Sequence, residues 1–219
     1  MTSDFSGVAI VWDWNGTLLD DTACCVGALN AMLVRRGAAP VTLEFFRRTF
    51  SFPARDFYTR VGMKVADEDW DETAKEYHRE YLARPATLAP DAIEALEAAK
   101  ARGVAQFVFS ALRQDLLDKA VSAAGIGKYF TRVAGSDNLD GSGKLEAAKA
   151  FSASLSAGGF NRVALVGDSL HDADVAAAIG AKCILYGGGS HSPERLEAAA
   201  PVAGSLSDAV SMILEDFSK

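Results

Sequence analysis

The sequence predicts an α/β protein: a doubly wound, mostly parallel sheet with an inserted all-helical subdomain. Three observations predict it. From Pro90 onward, short apolar strands alternate with helix-length segments, a rhythm that implies right-handed βαβ units covered on both faces. One further strand, Val8 to Trp12, stands alone near the N-terminus and ends in a carboxylate, Asp13. Between the two, residues 22–84 carry helical periodicity and nothing that reads as a strand.

The elements follow in order. Val8-Ala-Ile-Val-Trp12 is a run of strand formers, and Asn15 and Gly16 after it are turn residues. Taken alone, that turn could equally be an ordinary Asn-Gly hairpin. From Thr22 to Arg36, Val26, Leu29 and Leu33 recur at helical spacing, and Gly37 supplies a stop. Helices are expected again at 42–50, 54–61 and 67–83, the last acidic at its start and carrying Trp70, Tyr77 and Tyr81. Pro90-Asp91 opens the next helix, with Ile93 and Leu96 as its expected buried face and Gly103 as its end. Strands are then expected at 104–109, 132–134, 162–166 and 182–186. They alternate with helices at 114–124, 144–155 and 172–179, and a last helix runs over 207–217. Residues 1–20 and 88–219 thus form the α/β core, and residues 21–87 the helical insertion. The insertion leaves the sheet just after the Asp13 turn, a position from which it can cover the carboxyl ends of the strands.

Bulk properties exclude several classes. The chain has 219 residues, 49% of them hydrophobic, enough for one domain with an inserted subdomain. A net charge of -7 argues against nucleic acid held by a basic surface. No apolar run approaches the roughly 20 residues needed to span a bilayer, and the N-terminus lacks a leader pattern. Three cysteines, with no Cys-x-x-Cys among them, fit a reducing cytoplasm and disfavour a thiolate metal site.

The candidate chemistry lies at strand ends, where open α/β sheets bind ligands. Asp13 ends the first strand, and Ser110 ends Phe107-Val-Phe. Lys144 follows Gly141-Ser-Gly at a helix start, and Gly167-Asp168-Ser-Leu-His-Asp172 ends another strand with two carboxylates. Singly, Ser110 is read as a helix cap and Lys144 as a solvated lysine. Together the set makes chemical sense. Paired carboxylates hold a hard cation such as Mg2+, while a hydroxyl, a lysine and helix N-terminal amides bind phosphoryl oxygens. A carboxylate beside that group can attack phosphorus.

Asp13-Trp-Asn-Gly16-Thr17, Ser110, Lys144 and Gly167-Asp168-Ser-Leu-His-Asp172, in that order, resemble the four motifs of the haloacid dehalogenase superfamily. The insertion resembles its C1-type helical cap, and the nearest subgroup is the phosphoglycolate-phosphatase-like hydrolases. The resemblance implies a Rossmann-like core and a Mg2+-dependent phosphatase of small phosphorylated metabolites, cytoplasmic, monomeric or homodimeric. Asp13 would be the nucleophile, forming an aspartyl-phosphate. Asp13, Asp168 and the Asn15 carbonyl would bind Mg2+, with Asp172 joining through water or supporting from behind. Thr17, Ser110 and Ala111 would meet phosphoryl oxygens, and Lys144, preferred to its rival Lys149, would neutralise the phosphate and orient Asp13.

One residue departs from the pattern. Family phosphatases carry an Asp two residues after the nucleophile as acid and base, and here that residue is Asn15. An amide cannot transfer a proton, and such transfer is worth about 10²–10⁴-fold in rate. Asn15 therefore widens the reaction possibilities to phosphonate-type hydrolysis, to other hydrolases of the superfamily, or to a catalytically impaired phosphometabolite binder. In the insertion, Arg55 is the expected substrate-anion contact. His171 is expected at the surface or behind the site.

Overall fold

The computed structural model describes residues 5–65, 69–137 and 144–219. Its centre is a six-stranded sheet in the order β5-β4-β1-β6-β7-β8. The strands are β1 (Val8–Trp12), β4 (Ala105–Arg113), β5 (Arg132–Ser136), β6 (Arg162–Gly167), β7 (Lys182–Tyr186) and β8 (Val202–Ala203). Every neighbouring pair is parallel. Among the described residues, antiparallel pairing occurs only in a separate two-stranded ribbon, β2 (Leu19–Asp20) with β3 (Thr87–Leu88). These strands of two residues, like β8, fall below any sequence periodicity.

All five residues of β1 are buried, as a central strand covered on both faces requires. Their side chains alternate by the strand period of two. Val8, Ile10 and Trp12 enter one apolar cluster with α5 (Ala92–Ala101), α6 (Gln114–Ala123) and α9 (Leu206–Phe217). Ala9 and Val11 enter the other, with α7 (Lys144–Ala157) and α8 (Leu170–Ala178). The doubly wound architecture follows. Gln106 brings a buried polar group into the first layer, and it is satisfied. Trp12 Nε1 donates to its Oε1 at 3.1 Å, and its Nε2 donates to the Leu96 carbonyl at 2.9 Å.

Ile93 corrects one expectation. α5 buries Ala92, Ala95, Leu96 and Ala99, whereas Ile93 is 49% exposed. The helix packs through the face of Ala92, Ala95, Leu96 and Ala99, and Ile93 lies off that face and turns outward.

Residues 22–82 contain α1 (Thr22–Arg35), α2 (Leu43–Thr49), α3 (Ala54–Arg60) and α4 (Trp70–Leu82). The start of the last helix expected from sequence, at 67, lies outside the described residues. These four helices have a cluster of their own, built on Leu29, Met32, Leu33, Phe46, Phe57 and Tyr58. Across α1 and α4, Arg35 bridges Glu76 and Glu80, and Arg36 bridges Glu76 at 2.7 Å. No helix among the described residues is long and apolar enough to cross a membrane.

Candidate active site

The strand order brings the candidate residues together. β1 lies between β4 and β6, with Trp12 level with Val108 on one side and Val166 on the other. The next residues along the three strands are therefore Asp13, Phe109 and Gly167, followed within one position by Ser110 and Asp168. The Asp13 N–H donates to the Val166 carbonyl at 2.8 Å and completes the ladder at this edge.

Lys144 Nζ donates to Asp13 Oδ1 at 2.7 Å and to Asp172 Oδ1 at 2.8 Å. Its side chain is 5% exposed. Lys149 instead pairs with Glu146 at the surface. Asp172 Oδ2 accepts from the Ser169 hydroxyl at 2.6 Å and from its N–H at 3.2 Å, which fixes the first turn of α8. Asp168 Oδ2 accepts from the Ser190 N–H at 2.5 Å. Two glycines make room for Asp168. A Cβ on Gly16, whose φ is +74°, would fall 2.2 Å from Asp168 Oδ2, and one on Gly189 would fall 2.3 Å from the Asp168 Cβ.

Oxygens of Asp13, Asp168 and Asp172 lie within 4.8 Å of one another. All three residues are buried, so their charges repel in a poorly solvated space. Burial pushes Asp13 well above its ordinary value, and its carboxylate neighbours add to this against the pull of Lys144. Asp168 is pushed up to about 7, by burial first and Asp172 second. Asp172 feels the same burial, yet Lys144 and Ser169 outweigh it and hold its carboxyl low. For Lys144, burial opposes the charge, but Asp13 and Asp172 outweigh it and raise its pKa. Three clustered carboxylates against one ammonium leave an excess of negative charge that a hard, oxygen-seeking cation fits.

Above this cluster lies a cavity of about 190 Å³ between the strand ends and the four helices. Asp13, Asn15, Ser110, Ala111, Lys144, Asp168 and Asp172 all line it. Two other candidates are placed elsewhere. Thr17 is fully buried and donates to Asp168 Oδ1 at 3.4 Å, behind the cavity wall. Its hydroxyl braces Asp168 and does not present itself to a ligand. Arg55 is turned away, with its guanidinium 5.8 Å from the Trp70 ring and Nη2 3.4 Å from the Val65 carbonyl. It does not line the cavity, which corrects the expectation of an anion contact there. His171 does line it, with its ring 5.3 Å from Phe52. Burial and then Lys144 lower its pKa.

Asn15 belongs to a network that sequence spacing does not reveal. Its amide donates to Asp21 Oδ2 at 2.6 Å and to Tyr81 Oη at 2.9 Å. Tyr81 Oη donates to Asp21 Oδ2 at 2.6 Å, and the Gly16 N–H donates to Asp21 Oδ1 at 2.7 Å. Burial raises the Asp21 pKa against these hydrogen bonds. The turn after Asp13 is therefore no hairpin. It is a loop closed on itself and pinned by α4, sixty-six residues onward. Asp21 had a signal, being a carboxylate in the same stretch as Asp13. Tyr81 and Ser190 had none.

A parallel α/β core with an aspartate–lysine–aspartate cluster at its strand ends and a cavity roofed by inserted helices defines a hydrolase built for an anionic centre. The model of haloacid dehalogenase-like hydrolases matches residues 10–186, and the chain belongs to that family. It is 28% identical over 178 residues to a phosphoglycolate phosphatase of Caulobacter vibrioides, covering 78% of this chain and 75% of that one. A predicted phosphatase from Clostridium acetobutylicum shares the fold with a TM-score of 0.77 at 18% identity, over 97% of this chain and 100% of that one. A predicted phosphoglycolate phosphatase from Haemophilus somnus superposes with a TM-score of 0.71 at 18% identity, over 93% and 96% of the two chains.

Proposed function

We propose that this chain is a Mg2+-dependent phosphate-monoester hydrolase of small phosphorylated metabolites, phosphoglycolate-phosphatase-like, working through an aspartyl-phosphate on Asp13. The observation that carries the reading is the pairing of Lys144 with both Asp13 and Asp172 beside Asp168. Lys144 holds Asp13 Oδ1, which leaves Oδ2 as the attacking oxygen. That oxygen forms a bond to phosphorus as the bond from phosphorus to the leaving oxygen breaks. Water then attacks the same phosphorus, releasing phosphate and restoring the Asp13 carboxylate. Ser110, buried within β4 where its register with β5 shifts after Phe109, has its Oγ accepting from the Leu112 N–H at 3.1 Å and its hydroxyl hydrogen left for a phosphoryl oxygen.

Asp13, Asp168 and the Asn15 carbonyl would hold Mg2+, with Asp172 and Thr17 fixing the carboxylates. When bound, the ion neutralises charge on the phosphoryl oxygens. Residues 21–87 act as a cap that encloses the substrate against the core at 1–20 and 88–219. The phosphonate-type alternative requires a lysine reaching the cavity from that cap. Lys75 pairs with Glu72 at the surface, and among the described residues Lys144 is the only lysine lining the cavity.

The test is phosphate release with Mg2+ from acetyl phosphate and aryl phosphates, with and without chelator. Native protein should turn over in a metal-dependent way, and Asp13→Asn should abolish it. Binding of phosphate analogues with no turnover of any ester would replace this reading with that of a phosphometabolite binder.

A further inference from the structure

The cap side of the cavity has a composition that the catalytic cluster does not explain. Leu29, Phe46, Phe50, Tyr58, Trp70 and Tyr77 all line it. The rings of this wall group into two packed sets: Phe46 stacks on Phe50 with ring centroids 4.5 Å apart, and Tyr58 sits 5.9 Å from Trp70 and 6.2 Å from Tyr77.

No guanidinium interrupts that wall. Among the described residues, Lys144 is the only lysine or arginine lining the cavity, and its charge is already shared between two carboxylates. The remaining residues of the chain, 1–4, 66–68 and 138–143, contain no lysine or arginine. The arginines of α2 and α3 are engaged elsewhere. Arg47 donates to the Gly187 carbonyl, Arg48 pairs with Glu44, Arg55 lies against Trp70, and Arg60 donates to Ser51 Oγ. Among the described residues the imidazoles lining the cavity are those of His78 and His171, the latter packed 5.3 Å from the Phe52 ring. Asp21 adds a further carboxylate to the lining. A substrate carrying a second anion, such as the carboxylate of phosphoglycolate, would meet aromatic and imidazole rings and carboxylates there, with no ammonium but the shared one of Lys144 and no guanidinium.

We infer that the cap selects a phosphate monoester whose leaving group is uncharged, apolar and about the size of one aromatic ring, a phenol-type ester. The inference rests on the phosphatase reading above and names the substrate class of that same site. Cavity volume sets an upper bound: about 190 Å³ must hold the phosphoryl group and the leaving group together, and an apolar cavity of about 150 Å³ already admits benzene, so the leaving group is no larger than one ring. Rings of the wall can meet a substrate ring in stacked or edge-on geometry.

Asn15 supports the same class independently. Its amide is committed to Asp21 and Tyr81, and it has no proton to give. An alkanol leaving oxygen, about as basic as hydroxide (water pKa about 15.7), needs that proton. A phenol oxygen, with a pKa of about 10 as in tyrosine, can depart as the anion. As the Asp13 oxygen bonds to phosphorus, the bond from phosphorus to the aryl oxygen breaks. The phenoxide then takes its proton from solvent.

Calorimetric binding to the Mg2+-loaded protein tests this without requiring turnover. Phenylphosphonate and phosphonoacetate present a ring or a carboxylate on the same phosphonate. Phenylphosphonate should bind at least tenfold more tightly, and Trp70→Leu should narrow that ratio severalfold. Equal or tighter binding of phosphonoacetate would overturn the inference, as would a ratio untouched by Trp70→Leu and by a second variant, Tyr77→Leu. Hydrolysis separates the two levels of the argument. Acetyl phosphate has no ring and reports the core chemistry. Its turnover combined with a preference for phosphoglycolate over phenyl phosphate overturns the substrate class alone. Failure on every ester overturns the phosphatase reading, and the binding ratio still decides what the cap recognises.

Discussion

Replacing Asn15 by aspartate restores the acid that family phosphatases carry, but it also puts a carboxyl where the structure has an amide donor. The Asn15 amide lies 2.6 Å from Asp21 Oδ2 and 2.9 Å from Tyr81 Oη. With charge centres about 4 Å apart and an effective dielectric of about 20, two ionised carboxylates repel by about 4 kcal/mol, or about three pKa units at 1.36 kcal/mol each. One proton is therefore retained on the pair well above the ordinary carboxylate range. Asp21 is already raised by burial, which pushes the same way. A carboxyl whose folded pKa is raised keeps its full stability below its unfolded pKa of about 4 and loses it as pH climbs through the raised folded value. Asn15→Asp should thus unfold close to the wild-type temperature at pH 4 to 5. By pH 8 it should fall behind by up to about 4 kcal/mol, or roughly 8–16 °C in Tm. The assay is thermal denaturation of both proteins from pH 4 to 9 in chelator. Kinetically, the retained proton should raise hydrolysis of alkyl phosphates by up to about 10²–10⁴-fold and that of aryl phosphates far less. A Tm difference independent of pH, together with equal gains on both ester classes, would refute the pairing of residue 15 with Asp21 and its link to proton transfer.

Three other outcomes are expected. Lys144→Met strands Asp13 and Asp172, and removing one partner of a buried pair costs about 3–5 kcal/mol. Metal-free Tm should drop by roughly 6–20 °C with turnover lost, and a drop below about 2 °C would contradict the buried triad. Mg2+ at one hundred times its Kd should stabilise the native protein by about 2.7 kcal/mol, and Asp168→Asn should remove most of that shift in a thermal melt. His191 is 2% exposed, and its Nδ1 accepts the Leu170 N–H at 3.1 Å. Burial, then Arg195, lowers its pKa from 6.5 to about 4. A histidine lowered on folding loses stability as pH falls from 6.5 towards 4, here by up to about 3 kcal/mol. His191→Asn should flatten that part of the pH–stability curve, and an unchanged slope would show that His191 does not remain neutral.

The core was legible because its strands are buried on both faces and announce themselves as apolar runs. Asp13, Ser110, Lys144 and Asp168 were legible because a strand end followed by Gly, Ser or Asp is local in sequence. The cluster they form required the order β4-β1-β6, which local pattern does not carry. What escaped was long-range or small. Tyr81 reaches Asn15 across sixty-six residues, and Ser190 meets Asp168 through a backbone N–H that any residue would supply. Arg55 shows the opposite failure. A cation in a loop above the site invites an anion partner, but here an aromatic face and a carbonyl satisfied it instead. Ile93 sat at helical spacing, and only the small residues beside it reveal which face of α5 packs.

The ribbon of β2 and β3 has a consequence for how such a molecule diversifies. Leu19 stands opposite Leu88 and Asp20 opposite Thr87, so the chain leaves the sheet and returns to it side by side, about 4.8 Å apart. To the strands below, everything between these crossings is equivalent to the tip of a hairpin. Doubling the length of such a loop adds only about 0.6 kcal/mol to its closure cost. Any self-folding unit with adjacent ends can be grafted there without disturbing the register of β1. Asp13, Lys144 and Asp168 stay where they are, while the wall that meets the leaving group is exchanged as a cassette. In this chain the junction is not wholly neutral, because Tyr81 on the far helix holds Asn15 and Asp21 at its base. A graft that omits that tyrosine inherits the chemistry with its turn unpinned.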